Sequence, residues 1–112
     1  MEIKIEKKDD LTIISLVGRL DTISAEELKN EIVPLIKNGG KKIIFNFVNL
    51  DYISSAGLRI LLVATKMMKE KEGLLILCNI NDFINEIFEI SGFNQILSIT
   101  NTFEEALVSI KI

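Results

Sequence analysis

Two strongly apolar runs limit what this chain can fold into. Residues 42–48 and 74–80 are nearly continuous in Ile, Leu, Phe and Val, with few polar positions. Such runs are typical of strands covered on both faces of a sheet, because a half-exposed strand alternates apolar and polar residues. A helical pattern lies between the two runs. A strand–helix–strand order of this kind predicts parallel pairing through a right-handed crossover.

The rest of the chain extends this pattern. Residues 2–8 alternate charged and apolar side chains, residues 9–10 supply an acidic turn, and residues 11–17 resume as a strand, which predicts an antiparallel hairpin. Helical patterns begin near Ala25, Ala56, Asp82 and Phe103. We therefore predict a single α/β domain over residues 1–112. Its mixed, mainly parallel sheet has about four helices packed against it after an N-terminal β-hairpin.

Local signals predict where the first helix begins and ends. Ser24 followed by Glu27 is a capping-box pattern, which predicts a helix start near Ala25. Pro34 lies inside the same helical pattern. Because proline removes one hydrogen bond of the helix, it predicts a kink or an end near Val33.

The third helical pattern, over residues 82–90, predicts a short amphipathic helix. Asn81 before it is a good N-cap residue, and Gly92 after it suits a helix end. The spacing predicts inward-facing apolar side chains at four positions, which are Phe83, Ile84, Ile87 and Phe88.

The polar side chains of most interest lie where the first apolar run meets the second helical pattern, in residues 51–59 (DYISSAGLR). Ser54 and Ser55 fall at this strand-to-helix junction, where the first N–H groups of the helix lack internal partners. Such a helix end favours an anion. A serine here either caps the helix or carries a phosphate that the same N–H groups receive, and residue type alone favours the cap.

Composition excludes several kinds of site. The chain has no histidine and one cysteine, Cys78, so Ser–His pairs, Cys–His pairs, imidazole metal sites and an internal disulfide are excluded. It has no phosphate-binding glycine loop and no nucleophile elbow. A net charge of −3 gives no electrostatic footprint for nucleic acid, and no apolar run reaches membrane-spanning length. We predict a cytoplasmic protein that is not an enzyme, has no catalytic or metal site, and needs no cofactor. Cys78 is predicted to be a core residue.

Three motifs together resemble the STAS domains, specifically the anti-sigma factor antagonist (anti-anti-sigma factor) family. Residues 52–59 (YISSAGLR) are similar to the family's phosphorylation-site motif, residues 18–21 (GRLD) to its early Gly-x-Leu-Asp, and residues 103–107 (FEEAL) to its C-terminal helix. Matching Gly57 and Leu58 to the family's Gly-Leu puts the switch residue on Ser55, with Ser54 as the alternative. Ser54 stands where the family often has Asp. The family's fold, a mixed sheet with helices packed against it, agrees with the predicted fold.

The resemblance implies a regulator that works by partner switching. In its unphosphorylated form such a protein binds an anti-sigma factor that is also a serine kinase, and a sigma factor is released. Phosphorylation at Ser55 reverses this, with ATP supplied by the partner, and a phosphatase is implied. No nucleic acid and no membrane insertion are expected. The alternative is a STAS subunit of a stable assembly, such as a transporter-associated or sensory scaffold protein.

Several residues are predicted to contact the partner. Arg59 lies one helical turn after Ser55 and either reaches back toward its phosphate or remains a solvated charge. The helix after Ser55 is apolar around more of its circumference than packing on a sheet requires. Val63 and Met67 therefore contact a partner or are buried between helices. The resemblance implies that Asp21 is a loop residue near the switch serine. The alternative is that Asp21 only shapes the loop before the helix. The predicted set is Asp21, Ser54, Ser55, Gly57, Arg59, Val63 and Met67.

Overall fold

A computed structural model describes residues 1–111 of the chain. The domain predicted from the sequence covers residues 1–112, so its last residue lies outside the described range. The five strands form one sheet in the order β1-β2-β3-β4-β5. The strands are β1 Glu2–Lys8, β2 Leu11–Leu20, β3 Lys42–Ile53, β4 Leu74–Cys78 and β5 Ser98–Thr100. The helices are α1 Thr22–Lys37, α2 Ser55–Glu70, α3 Asp82–Ser91 and α4 Phe103–Ile110, with a short 3-10 helix at Phe93–Gln95. β1 and β2 are antiparallel and the other pairs are parallel, which confirms the predicted fold class.

The helices lie on both faces of the sheet. Because the parallel strands follow one another in sequence and crossovers share one hand, α1, α2 and α3 lie on the same face. The larger core lies there and is centred on buried residues such as Phe45 and Phe47. α4 covers the other face, where Ala106 and Ile110 pack against β3 and β4. Cys78 is buried in this second core, and its burial raises the pKa of the thiol to about 11, with a further contribution from the nearby negative charge of Glu104.

The first helix departs from its predicted limits at both ends. α1 begins at Thr22 with Asp21 as its N-cap, so the predicted start near Ala25, with a box between Ser24 and Glu27, is wrong. The predicted end near Val33 is also wrong, because the helix continues through Pro34 to Lys37. Proline removes only one hydrogen bond, and the buried side chains of Ile32 and Ile36 hold both sides of it against the core.

Two other elements differ from the predicted pattern. β3 continues to Ile53, beyond the predicted end at residue 48, because β2 continues alongside it and Leu20 pairs with Ile53. In α3, Asn81 and Gly92 are the N-cap and C-cap as predicted, and Ile84 and Phe88 are buried. Phe83 was predicted to face inward, and this is wrong: its side chain is 52% exposed and its ring stacks on Tyr52.

Candidate functional site

Neighbouring strand ends bring the two predicted polar segments together at one edge of the sheet. Leu20 and Ile53 are paired residues at the carboxyl ends of β2 and β3. The Ser54 N–H donates to the carbonyl oxygen of Leu20 over 2.8 Å, which joins the two strand ends one residue further on. Asp21 follows Leu20 directly, so α1 and α2 begin side by side at the edge where parallel α/β sheets commonly bind ligands.

Ser54 and Ser55 have different environments, although they are adjacent in sequence. Ser54 is the N-cap of α2, and its Oγ accepts from the backbone N–H of Gly57 over 3.2 Å. Ser55 is the first helical residue, and its side chain is exposed to solvent. The alternatives left open by the sequence are thus divided between two residues: Ser54 caps the helix, and Ser55 presents a hydroxyl to solvent at the helix end.

Gly57 allows the first turn of α2 to pack closely on the strand ends. A Cβ atom at this position would lie 2.7 Å from Cγ of Leu20 and 2.9 Å from Cγ1 of Ile53. Such distances are well inside van der Waals contact, so the helix would have to move or the two side chains would have to rearrange. Gly57 is therefore a packing requirement of the site.

Asp21 forms a reciprocal cap at the start of α1. The Ser24 N–H donates to Oδ1 of Asp21 over 2.9 Å, and the Asp21 N–H donates to Oγ of Ser24 over 2.8 Å. The backbone hydrogen bond from Ser24, followed by the hydrogen bond of the Ser24 hydroxyl, lowers the pKa of Asp21 below its usual value. The carboxylate is consequently held in its charged form at the α1 N-terminus.

The other predicted partner-binding residues lie along α2. Arg59 is exposed and lies one turn after Ser55. Val63 is 38% exposed, so part of its side chain is available to another molecule. Met67 is half-buried and packs against the larger core. Arg59 and Val63 are thus accessible along α2, whereas Met67 contributes mainly to packing.

A group of residues that the sequence reasoning missed lies beside this site. The guanidinium of Arg19 lies over the ring of Tyr52, with Cζ 4.2 Å from the ring centroid. The Tyr52 ring stacks in turn on Phe83, with centroids 6.4 Å apart and an angle of 24° between the rings. We call Arg19, Tyr52 and Phe83 the aromatic stack. Each residue was visible in the sequence, but only the pairing of β2 with β3 and the start of α3 bring them together.

Within residues 1–111 no group of three or more His, Cys, Asp or Glu side chains is arranged to hold a metal ion. No helix in the same part of the chain is both long enough and apolar enough to cross a membrane.

Comparison with known proteins gives consistent matches. The STAS domain model matches residues 2–106. BtrV of Bordetella bronchiseptica, named as an anti-sigma factor antagonist, is 35% identical over 111 residues, which cover 99% of this chain and 96% of BtrV. The match therefore extends through the whole site and both cores.

Solved structures share the fold. The crystal structure of a Thermotoga maritima protein, also named as an anti-sigma factor antagonist, has a TM-score of 0.93 at 19% identity and covers 98% of this chain and 95% of that one. The phosphorylated form of the Bacillus cell fate determinant SpoIIAA has a TM-score of 0.77 at 26% identity, over 97% of this chain and 99% of that one. The chain therefore belongs to the STAS domain family, among the anti-sigma factor antagonists.

Proposed function

We propose that the protein regulates transcription by partner switching, with Ser55 as the phosphorylated residue. The observation that carries the proposal is the division between the two serines. The Ser54 hydroxyl is occupied by the Gly57 N–H, whereas Ser55 is exposed at the first position of α2. A kinase that approaches this edge therefore meets the exposed hydroxyl of Ser55 on a strand-to-helix junction, whereas Ser54 is partly buried and its oxygen accepts from the helix.

The partner supplies the catalytic groups for phosphate transfer. The chain has no glycine loop for ATP and no histidine to act as a base. An anti-sigma factor that is also a serine kinase supplies the nucleotide, the magnesium ion and the proton acceptor. This protein acts as its substrate and ligand and is not an enzyme, and a phosphatase restores the serine. A partner that uses ATP and binds sigma factors works in the cytoplasm, so the proposal assigns the protein to that compartment.

The proposed contact surface surrounds Ser55. Asp21 and Ser54 lie at the neighbouring helix starts, and Arg59 and Val63 continue along the exposed side of α2. Gly57 and Met67 contribute by packing, since Gly57 keeps the helix start close to the strands and Met67 rests on the core. Unphosphorylated, this surface binds the kinase, and the sigma factor is released.

Phosphorylation would weaken the complex more than it affects the fold. A phosphate adds roughly −1.5 to −2 charges at neutral pH. The N-terminus of α2 favours an anion by about 0.3–1 kcal/mol, so the protein itself tolerates the charge. At an interface shaped for a neutral hydroxyl, unmatched charge and bulk cost several kcal/mol. The interface effect is the larger one.

Similarity to SpoIIAA supports this proposal. SpoIIAA is described as an anti-sigma factor antagonist, and its structures represent the unphosphorylated and the phosphorylated form. Both forms align with nearly the whole of this chain at a TM-score of 0.77. A fold that persists in the phosphorylated relative is compatible with phosphorylation of this chain.

The deciding experiment combines partner capture with mass spectrometry. The unphosphorylated protein is used to isolate its kinase, and the purified pair is incubated with ATP and magnesium. We expect phosphate on Ser55, none in Ser55→Ala, and phosphate still on Ser55 in the control Ser54→Ala. Phosphate on Ser54 alone would move the assignment to that residue. Phosphate on neither serine would favour the STAS subunit of a stable assembly.

A further inference from the structure

We propose that the aromatic stack is a second docking site for the anti-sigma factor kinase, in which an acidic side chain of the kinase pairs with Arg19 and an apolar side chain packs on Phe83. The inference rests on the proposed function, because it concerns the same partner. It adds three contact residues that do not belong to α2 and are not the candidate phosphorylated serines.

The stack holds an arginine with its hydrogen-bonding groups free. The Arg19 guanidinium lies 4.2 Å from the Tyr52 ring centroid, within the range of a cation–π contact. Ion pairs among residues 1–111 join Lys4 to Glu2 and Lys42 to Asp10, so no carboxylate of the described chain neutralises Arg19. A guanidinium that contacts a ring through its face keeps the N–H groups at its own edge available to a carboxylate.

Both ends of the stack are fixed by hydrogen bonds to the backbone. Arg19 directly precedes Leu20, whose carbonyl oxygen accepts from the Ser54 N–H over 2.8 Å, so the end of β2 is held against β3. Asn81 accepts from the Ile84 N–H at the start of α3, and its Nδ2 donates to the carbonyl oxygen of Leu50 over 3.1 Å. Asn81 thus anchors the first turn of α3 to β3, next to Tyr52. The backbone segments that carry the stack are therefore in place before a partner binds.

The composition of the stack is that of a protein interface. Phe83 is 52% exposed, although a phenylalanine on a small soluble domain is normally buried. Tyrosine and arginine are enriched among the residues that contribute most to binding, particularly where they are rigid. Arg19 and Phe83 make their contacts with Tyr52 at the surface of the protein, where a partner could reach them.

Position and charge identify the kinase as the occupant. Arg19 and Tyr52 are paired residues of β2 and β3, and the next pair is Leu20 with Ile53. Ser54 is the residue after Ile53. Tyr52 precedes Ser55 by three residues and Arg19 is its partner on the neighbouring strand, so both lie at the same end of β2 and β3 as the Ser55 hydroxyl. The chain carries a net charge of −3, so an exposed and unpaired cation at this point selects an acidic side chain on the partner.

Binding measurements with matched variants test the inference. The dissociation constant of the purified kinase is measured for wild type, Arg19→Gln and Phe83→Ala, each at two salt concentrations. Lys29→Gln, on α1, and Ile90→Ala, at the far end of α3, are controls that remove an exposed cation and an exposed apolar side chain. We expect each stack variant to bind about tenfold more weakly, Arg19→Gln to reduce the salt dependence, and both controls to bind as wild type does.

A second readout uses the single tyrosine of the chain and needs no substitution. Protein labelled with 3-fluorotyrosine gives one fluorine resonance, from Tyr52, and we expect its chemical shift to change when unlabelled kinase binds. A resonance that keeps its shift in the complex overturns the second docking site. Wild-type affinity in both Arg19→Gln and Phe83→Ala would also overturn the second docking site. If Ser55→Asp abolished binding in the same experiment, the proposed function would stand without that docking site. A kinase that does not bind wild type would overturn both.

Discussion

α1 and α2 begin side by side at the same edge of the sheet, yet their first turns are capped differently. At α1, the Asp21 carboxylate and Ser24 exchange hydrogen bonds, so the backbone donors of both residues are satisfied. At α2, the neutral hydroxyl of Ser54 accepts a single bond, from the Gly57 N–H. The residue equivalent to Ser24 is Gly57, which has no side chain with which to complete the exchange.

The difference shows how this sheet edge leaves one helix end available for an anion. The α1 N-terminus already has a carboxylate, which the helix dipole favours. α2 has no acidic residue in its first turn, and its cap is uncharged. The space beside Gly57 is filled by Leu20 and Ile53, so any side chain at this position would displace them. A phosphate on Ser55 would therefore find a favourable helix end that no other anion occupies.

The largest expected effect comes from adding a charge at the first position of each helix. Ser55→Asp should weaken kinase binding more than a hundredfold, which corresponds to about 3 kcal/mol. Thr22→Asp puts the same charge on the exposed first residue of α1, beside Asp21, and should weaken binding by about tenfold at most. Isothermal titration calorimetry with the purified kinase compares the two. Equal losses would mean that any negative charge on this edge breaks the complex, and Ser55 would not be special.

The next effect concerns the position at which the two caps differ. Gly57→Ala should destabilise the protein by about 1–2 kcal/mol, because overpacking at distances of 2.7–2.9 Å costs roughly 2–3 kcal/mol, the upper part of the usual range, and alanine recovers only about 1 kcal/mol of helix propensity. Gly57→Ser introduces the residue that α1 has at this position. It should be similarly destabilising, since the Cβ atom causes the clash. Urea unfolding measures both. A Gly57→Ala variant as stable as wild type would show that Leu20 can move aside.

The fold was largely predictable because its signals are local. The apolar runs of β3 and β4 and the helical patterns between strands are properties of short segments, and they fixed the mainly parallel sheet. The same local signals put Ser54 and Ser55 at a helix start. They did not identify the α1 cap, since Ser24 fits the pattern of an N-cap as well as that of the third helical residue.

The parts of the site that were missed depend on contacts between distant segments. β3 reaches Ile53 because β2 runs beside it, and the same pairing puts Arg19 next to Tyr52. Phe83 has the spacing of an inward-facing residue, but Asn81 holds the start of α3 at Leu50, where Phe83 meets Tyr52 instead of the core. Helical periodicity cannot predict such a contact, because it depends on how two elements are placed.

A smaller effect is expected from the α2 cap itself. Ser54→Ala removes the acceptor for the Gly57 N–H and should cost about 1 kcal/mol of stability. Ser54→Asp gives α2 the carboxylate cap that α1 has and should add about 0.3–1 kcal/mol. Thermal melts compare both variants with wild type. If Ser54→Asp lowered the melting temperature, the α2 N-terminus would not favour an anion, and a phosphate on Ser55 would not be stabilised there.

The smallest expected effect is a pH dependence that only the α1 cap possesses. Hydrogen bonds from Ser24 lower the pKa of Asp21 in the folded protein, so the folded state binds this proton more weakly than the unfolded state does. The stabilisation is complete above the unfolded pKa and disappears as the pH falls through the folded one. Asp21→Asn keeps a good cap and removes the charge. Its melting temperature should lie below that of wild type at neutral pH, and the difference should disappear as the pH falls through the lowered pKa that Asp21 has in the folded protein. Ser54→Asn exchanges one neutral cap for another in α2, so its difference from wild type should not change with pH. An Asp21→Asn difference that also stayed constant would mean that the two helix starts do not differ in charge stabilisation.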